Sequence, residues 1–197
     1  MKAKEPEPAK LLVSLFGAEE ALFAEVLTRL RARFGPVDFL TEPLAFDSTG
    51  YYREEFGPGE IKRKVASFEG LVRSEDLSSI KLFTNAVEDD YLEEGRRRIN
   101  IDPGCLTLER LVLATCKNFA HRIHLGGGVF ADLTLIFRDG GYKDLEWTYP
   151  DYREERMKAI LLDIRRRYAF RIGRGAWGMG AGGWGGRGGR GRSKKNC

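Results

Sequence analysis

Between residues 97 and 152 the chain gathers side chains that bind and orient ligands, in short clusters set between apolar runs. Asn100-Ile101-Asp102-Pro103-Gly104 comes first, followed by Thr115-Cys116-Lys117, His121-Arg122 and Thr148-Tyr149-Pro150-Asp151-Tyr152. Each cluster falls where hydrophobic periodicity breaks, and element ends are where scaffolds place binding and catalytic groups. Upstream, Lys81, Thr84, Asn85 and Glu88 are spaced i, i+3, i+4, i+7 and so share one helix face. The chemistry these residues offer is anion recognition with acid–base support. Lys81, Arg97, Arg122 and Lys117 would contact the anion, Asn85 and Asn100 would orient it, and Tyr149 and Asp151 would border it. His121 with Asp102 would supply acid–base function, because the cationic neighbour Arg122 favours a neutral imidazole that can accept a proton.

Each residue also has a plainer reading. Asp102 can cap a turn, the arginines at 96–98 can be solvated, and the polar helix face can carry local ion pairs. Asp151 followed by Glu154 resembles a capping box. His121 and His124 sit three apart, which on a strand puts them on opposite faces, and no Cys or carboxylate stands at ligand spacing. No metal site is expected. Phosphate-loop and Asn-Lys-x-Asp sequences are absent, as is a G-x-S-x-G nucleophile elbow. Gly126-Gly127-Gly128 lacks the helix that a phosphate loop requires, so no motif names a cofactor.

The elements that must position these groups follow from periodicity and breakers. Lys10–Phe16 reads as a buried strand, Ala18–Phe34 as a helix stopped by Gly35-Pro36, and Val37–Phe46 as an edge strand broken by Pro43. Asp47–Gly59 reads as a loop carrying Tyr51, Tyr52, Glu54 and Glu55, and Ile61–Phe68 as a third strand. Ser74 is placed to cap a helix whose stripe Leu77, Ile80, Thr84, Val87 and Tyr91 runs to Gly95. Arg96–Ile101 is a strand candidate, and Asp102-Pro103-Gly104 a turn. Thr107–Asn118, apolar on most sides, reads as a central helix whose start would make an anion site. Ala120–Leu125, Val129–Arg138 and Tyr142–Trp147 read as consecutive strands parted by Gly126-Gly127-Gly128 and Asp139-Gly140-Gly141. In the middle one, Ala131, Leu133, Leu135 and Phe137 share a face opposite Asp132, Thr134 and Arg138. A last helix spans Asp151–Tyr168. The sum is an α+β single domain: a mostly antiparallel or mixed sheet of six to seven strands, with about four helices on one side.

Composition sets the boundaries. The 197 residues suffice for one core without disulfide or metal staples. Three cysteines with no close pair, and no apolar run of membrane-spanning length, place the protein in the cytoplasm. Residues 1–8 read as a flexible start and 9–172 as the globular domain. Residues 173–197 hold eleven glycines, six basic groups and no acidic ones, and are expected to be a disordered tail. Removing those six from 33 basic residues leaves 27 against 29 acidic ones, about −2 for the rest. The basic pI therefore belongs to the tail. With Trp177 and Trp184 it resembles Arg/Gly-rich segments that bind single-stranded RNA; GC-rich coding sequence read in another frame would give a similar composition.

Several stretches together resemble a bacterial family, domain of unknown function 4416: Ser79-Ile-Lys-Leu-Phe-Thr-Asn85, Asn100–Gly104, Leu113–Lys117, His121-Arg-Ile123 and Trp147–Tyr152. Phe46-Asp47, Tyr51-Tyr52 and Glu55-Phe56-Gly57 match as well. The resemblance spans roughly residues 9–170 and departs at Cys105 and His124, where tyrosine is expected, and throughout the glycine-rich tail. It implies no established activity. Members sometimes carry a GTP-binding label, for which this chain shows none of the usual motifs. The functional expectation is therefore a small anionic metabolite or nucleotide, with RNA bound through the tail as the alternative.

Overall fold

A computed structural model describes residues 2–46 and 60–174. The loop expected at 47–59 and residues 175–197 of the expected tail lie outside the described residues. The chain runs β1 (Ala9–Gly17), α1 (Glu20–Phe34), β2 (Val37–Leu40), β3 (Leu44–Ala45), β4 (Lys62–Val72) and α2 (Leu77–Asp89). The hairpin β5 (Leu92–Glu93) and β6 (Arg96–Arg97) follows, then β7 (Ile99–Leu106), β8 (Arg110–Thr115), β9 (Arg122–Gly126), β10 (Val129–Arg138) and β11 (Gly141–Asp144). A one-turn helix α3 (Pro150–Arg153) leads into α4 (Glu155–Arg171). The architecture is α+β, with an antiparallel nine-stranded sheet in the order β11-β10-β8-β7-β1-β4-β2. β3 adds to β4, and β9 to β10.

β1 is buried along its whole length because both sheet faces are covered. Leu11, Val13 and Leu15 point to a core shared with Leu22, Phe23, Val26 and Leu30 of α1 and with Ile80 and Val87 of α2. Leu12 points the opposite way, to a core built with Met157, Leu161, Ile164 and Tyr168 of α4. The helices thus lie on both faces, not on one as expected. Alternation that satisfies two cores looks from the sequence like a plain apolar run.

The largest difference lies at residues 99–118. Asp102-Pro103-Gly104 is not a turn but the middle of β7, and the expected central helix from Thr107 is the strand β8. The reversal falls at Thr107–Glu109, where Thr107 N donates to Arg110 O. A short apolar run buried on both faces has no periodicity that separates helix from strand. No helix start exists there, so the expected anion site at its N-terminus is absent. This extra strand and the division of 37–46 into β2 and β3 raise the strand count above six or seven.

Smaller corrections concern helix ends. Ser74 makes no side-chain cap; Ser74–Asp76 forms a 3-10 turn that leads into α2. That helix stops at Asp89, and the chain reverses at Glu94 (φ 51°) and Gly95 (φ 77°), left-handed conformations suited to a two-residue hairpin. Asp151 caps nothing, since it lies within α3 and reaches Arg63. In β10 a register shift between Leu133 and Leu135 breaks the expected alternation. Asp132 and Thr134 are buried as well as Leu135. Among the described residues no helix is long and apolar enough to cross a membrane.

Candidate functional site

The site originates where two central strands part. β7 and β8 pair only from Gly104↔Leu113 to Leu106↔Leu111. The pairing stops at Pro103, which has no N–H to donate. Beyond it β7 stays on β1 and β8 stays on β10, so the strands diverge and their side chains line a cleft of about 710 Å³. Helix α2 and the 149–157 segment complete its walls.

Eight of the residues singled out in the sequence line this one cleft: Lys81, Asn85, Arg97, Asn100, Asp102, Lys117, Tyr149 and Asp151. Lys81 is 5% exposed and directs its ammonium inward, to Ile101 O at 2.9 Å and Asp102 Oδ1 at 3.2 Å, with Glu88 Oε1 at 3.7 Å. Burial works to lower its pKa, but the charges of Asp102 and Glu88 more than offset this and leave it raised. Glu88, 2% exposed, accepts the Ile101 amide at 2.7 Å and lies 3.6 Å from Arg97 Nη1. Desolvation pushes its carboxyl up to about 7 against the pull of Lys81, the Ile101 amide and Arg97. Lys81 is therefore anchored in a buried charge network rather than presented to the cleft as a bare ammonium. Asn85 Nδ2 donates to Cys116 Sγ at 3.3 Å, and Asn100 Oδ1 accepts from Arg97 Nη1 at 3.2 Å.

His121 and Arg122 stand behind the wall. His121 lies in the turn before β9, its ring stacked on Trp147 at 4.8 Å and its Nε2 3.2 Å from Asp132 Oδ2. Arg122 Nε donates to the same oxygen at 2.8 Å, Nη1 donates to Lys117 O at 2.9 Å, and Nη2 donates to the Tyr149 hydroxyl. Together they clamp Asp132, and it is Asp132 that borders the cleft. Ligand contact by Arg122 and a base role for His121 thus lose their geometric support. Both residues position a third one, because strand pairing of β9 on β10 puts Asp132 opposite Arg122.

The sequence reading missed Arg63, Asp132 and the rings of Phe16 and Phe46 as wall residues. A signal existed for Arg63. It shares strand parity with Ile61 and Val65, both buried, so a cation on that face faces inward. Its Nη1 donates to Asp151 Oδ2 at 2.6 Å and its Nε to Ser14 Oγ at 2.7 Å. Asp132 had a fainter mark, a carboxylate inside a mostly apolar strand. Nothing local marked Phe16, which reads as ordinary core.

The exposed cations Arg97, Lys117 and Arg156 edge the cleft, alongside the pairs Arg63–Asp151 and Lys81–Asp102, whose cations are buried and whose carboxylates are partly exposed. Such a site can draw in an anion and orient it on fixed polar groups. Of the two cysteines among the described residues, Cys116 borders the cleft, whereas burial pushes the Cys105 thiol up to about 12. Among the described residues no group of three His, Cys, Asp or Glu side chains could hold a metal ion. No curated protein and no solved structure matches this chain. A family model does match residues 7–168, so the chain belongs to the family described as Domain of unknown function (DUF4416).

Proposed function

We propose that the cleft binds a small anionic metabolite or a nucleotide. The observation that carries this reading is the convergence of eight polar and charged residues from four separate stretches on one cavity of about 710 Å³. That volume suits a metabolite-sized ligand, for which pockets of roughly 300–1,000 Å³ are usual. Arg97, Lys117 and Arg156 supply the attraction, and Asn85 and Asn100 the orientation. Phe46 and Tyr149 add aromatic surface to the wall. Asp102, with its side chain 31% exposed, is the carboxylate placed to exchange a proton with a ligand.

The test is a thermal-shift screen of phosphorylated metabolites and nucleotides on wild type, Arg97→Ala and Lys117→Ala. A cleft ligand should raise the melting temperature of wild type and shift both variants much less. A compound that shifts all three equally sits elsewhere, and a library that shifts none removes the reading. The second reading, RNA association through residues 173–197, rests on their six basic groups and two tryptophans.

A further inference from the structure

Arg63 is a cation at the start of β4, one strand in from the sheet edge, 2% exposed and on the wall of the cleft. Its guanidinium carbon lies 4.7 Å from the Phe16 ring centroid, 4.6 Å from that of Tyr152 and 5.7 Å from that of Phe46. These three rings cage the group, attract its charge and fix its plane. Nε is held by Ser14 and Nη1 by Asp151, but Nη2 is buried and meets no acceptor among the described residues. A buried guanidinium that serves only the fold is ordinarily saturated, since a desolvated N–H without an acceptor is unfavourable.

Resting on the cleft reading above, we propose that Arg63 is the anchor for the ligand's anionic group, with Nη2 reserved for one phosphoryl or carboxylate oxygen. The two-nitrogen forks of the guanidinium are both blocked, because Nε and Nη1 already have partners. Contact through Nη2 is therefore to a single oxygen. Phe46 is the half-buried ring of the three, so that oxygen enters past its edge. Asp151 neutralises Arg63, and the arriving negative charge is balanced by Arg97, Lys117 and Arg156 on the same cavity.

The experiment follows the guanidinium signal of Arg63 by NMR in full-length protein labelled with ¹⁵N-arginine, assigned through its displacement in Ser14→Ala. The probes are inorganic phosphate, sodium acetate and, as a neutral acceptor, acetamide. Phosphate or acetate should move the signal saturably while acetamide leaves it in place. The anion that acts tells a phosphoryl group from a carboxylate. Calorimetry with the active anion should show binding weakened about tenfold or more in Arg63→Lys, which keeps the charge but lacks Nη2. Should that variant fail to fold, the wild-type signal alone decides. A signal that stays fixed while the cleft saturates overturns Arg63 as the anchor and leaves the cleft reading standing, as does equal affinity in the variant. A saturable response to acetamide overturns the oxyanion assignment. If no anion binds anywhere, both proposals fall.

Discussion

Lys81 turns all of its ammonium contacts inward, to Ile101 O, Asp102 and Glu88. Its helical spacing with Thr84, Asn85 and Glu88 was legible in the sequence, but the partner on β7 was not, because twenty residues separate them. Lys81→Met should therefore cost about 3–5 kcal/mol, since it removes the cation that faces the buried Glu88 and the partly exposed Asp102. Urea denaturation measures this, and a change below about 0.5 kcal/mol would place Lys81 on solvated surface instead. Glu88 makes a second prediction. Its carboxyl is raised from 4.5 to about 7 in the fold, so between those values the folded chain holds a proton that the unfolded chain releases. That contribution to stability is complete below about pH 4.5 and is lost as pH rises through 7. Glu88→Gln, which still offers an oxygen to the Ile101 amide, should gain on wild type between about pH 5 and about pH 8. Parallel stability curves over that interval would show that Glu88 does not titrate there.

Strand β7 carries the sequence Asn100-Ile-Asp-Pro-Gly104 straight through the sheet, although Asp-Pro-Gly ordinarily signals a turn. Gly104 is required here for a different reason. A Cβ at this position would come within 2.7 Å of Leu113 Cδ2 and 3.1 Å of the Val112 carbonyl oxygen on β8. Gly104→Ala should thus cost about 1–3 kcal/mol through overpacking, read as a lower denaturation midpoint. A neutral outcome would mean that β8 yields freely at this point. Pro103, next to it, ends the β7–β8 pairing and opens the cleft. The residues of both devices were visible in the sequence, but their meaning depended on β8 being a strand. The apolar run 107–118 could not reveal that, because burial on both faces erases the alternation that marks strands.

At the scale of the molecule, the two main cores draw on residues as far as Ile172, and Arg174 N still bonds to Ala169 O. Truncation after Arg174 should leave the melting temperature within about 2 °C of the full chain, and a larger loss would show that residues 175–197 dock on the domain. If the Arg/Gly-rich stretch binds RNA, affinity should fall steeply with salt and vanish in the truncated protein. Full-length protein that ignores RNA at low salt would dismiss that role. The sequence by itself determined the α+β class, the antiparallel hairpins around Gly126–Gly128 and Asp139–Gly141, and the placing of the 115–117, 121–122 and 148–152 clusters at element ends. These are consequences of local periodicity and turn chemistry, which act over a few residues. The tertiary structure alone decided that both sheet faces are covered, and that Arg63 from β4 meets Asp151 from α3. It also decided that His121 and Arg122 stand behind Asp132 rather than in the cleft. Those outcomes depend on register and strand divergence between segments far apart in the chain, and no local pattern encodes the partner that a side chain will find there.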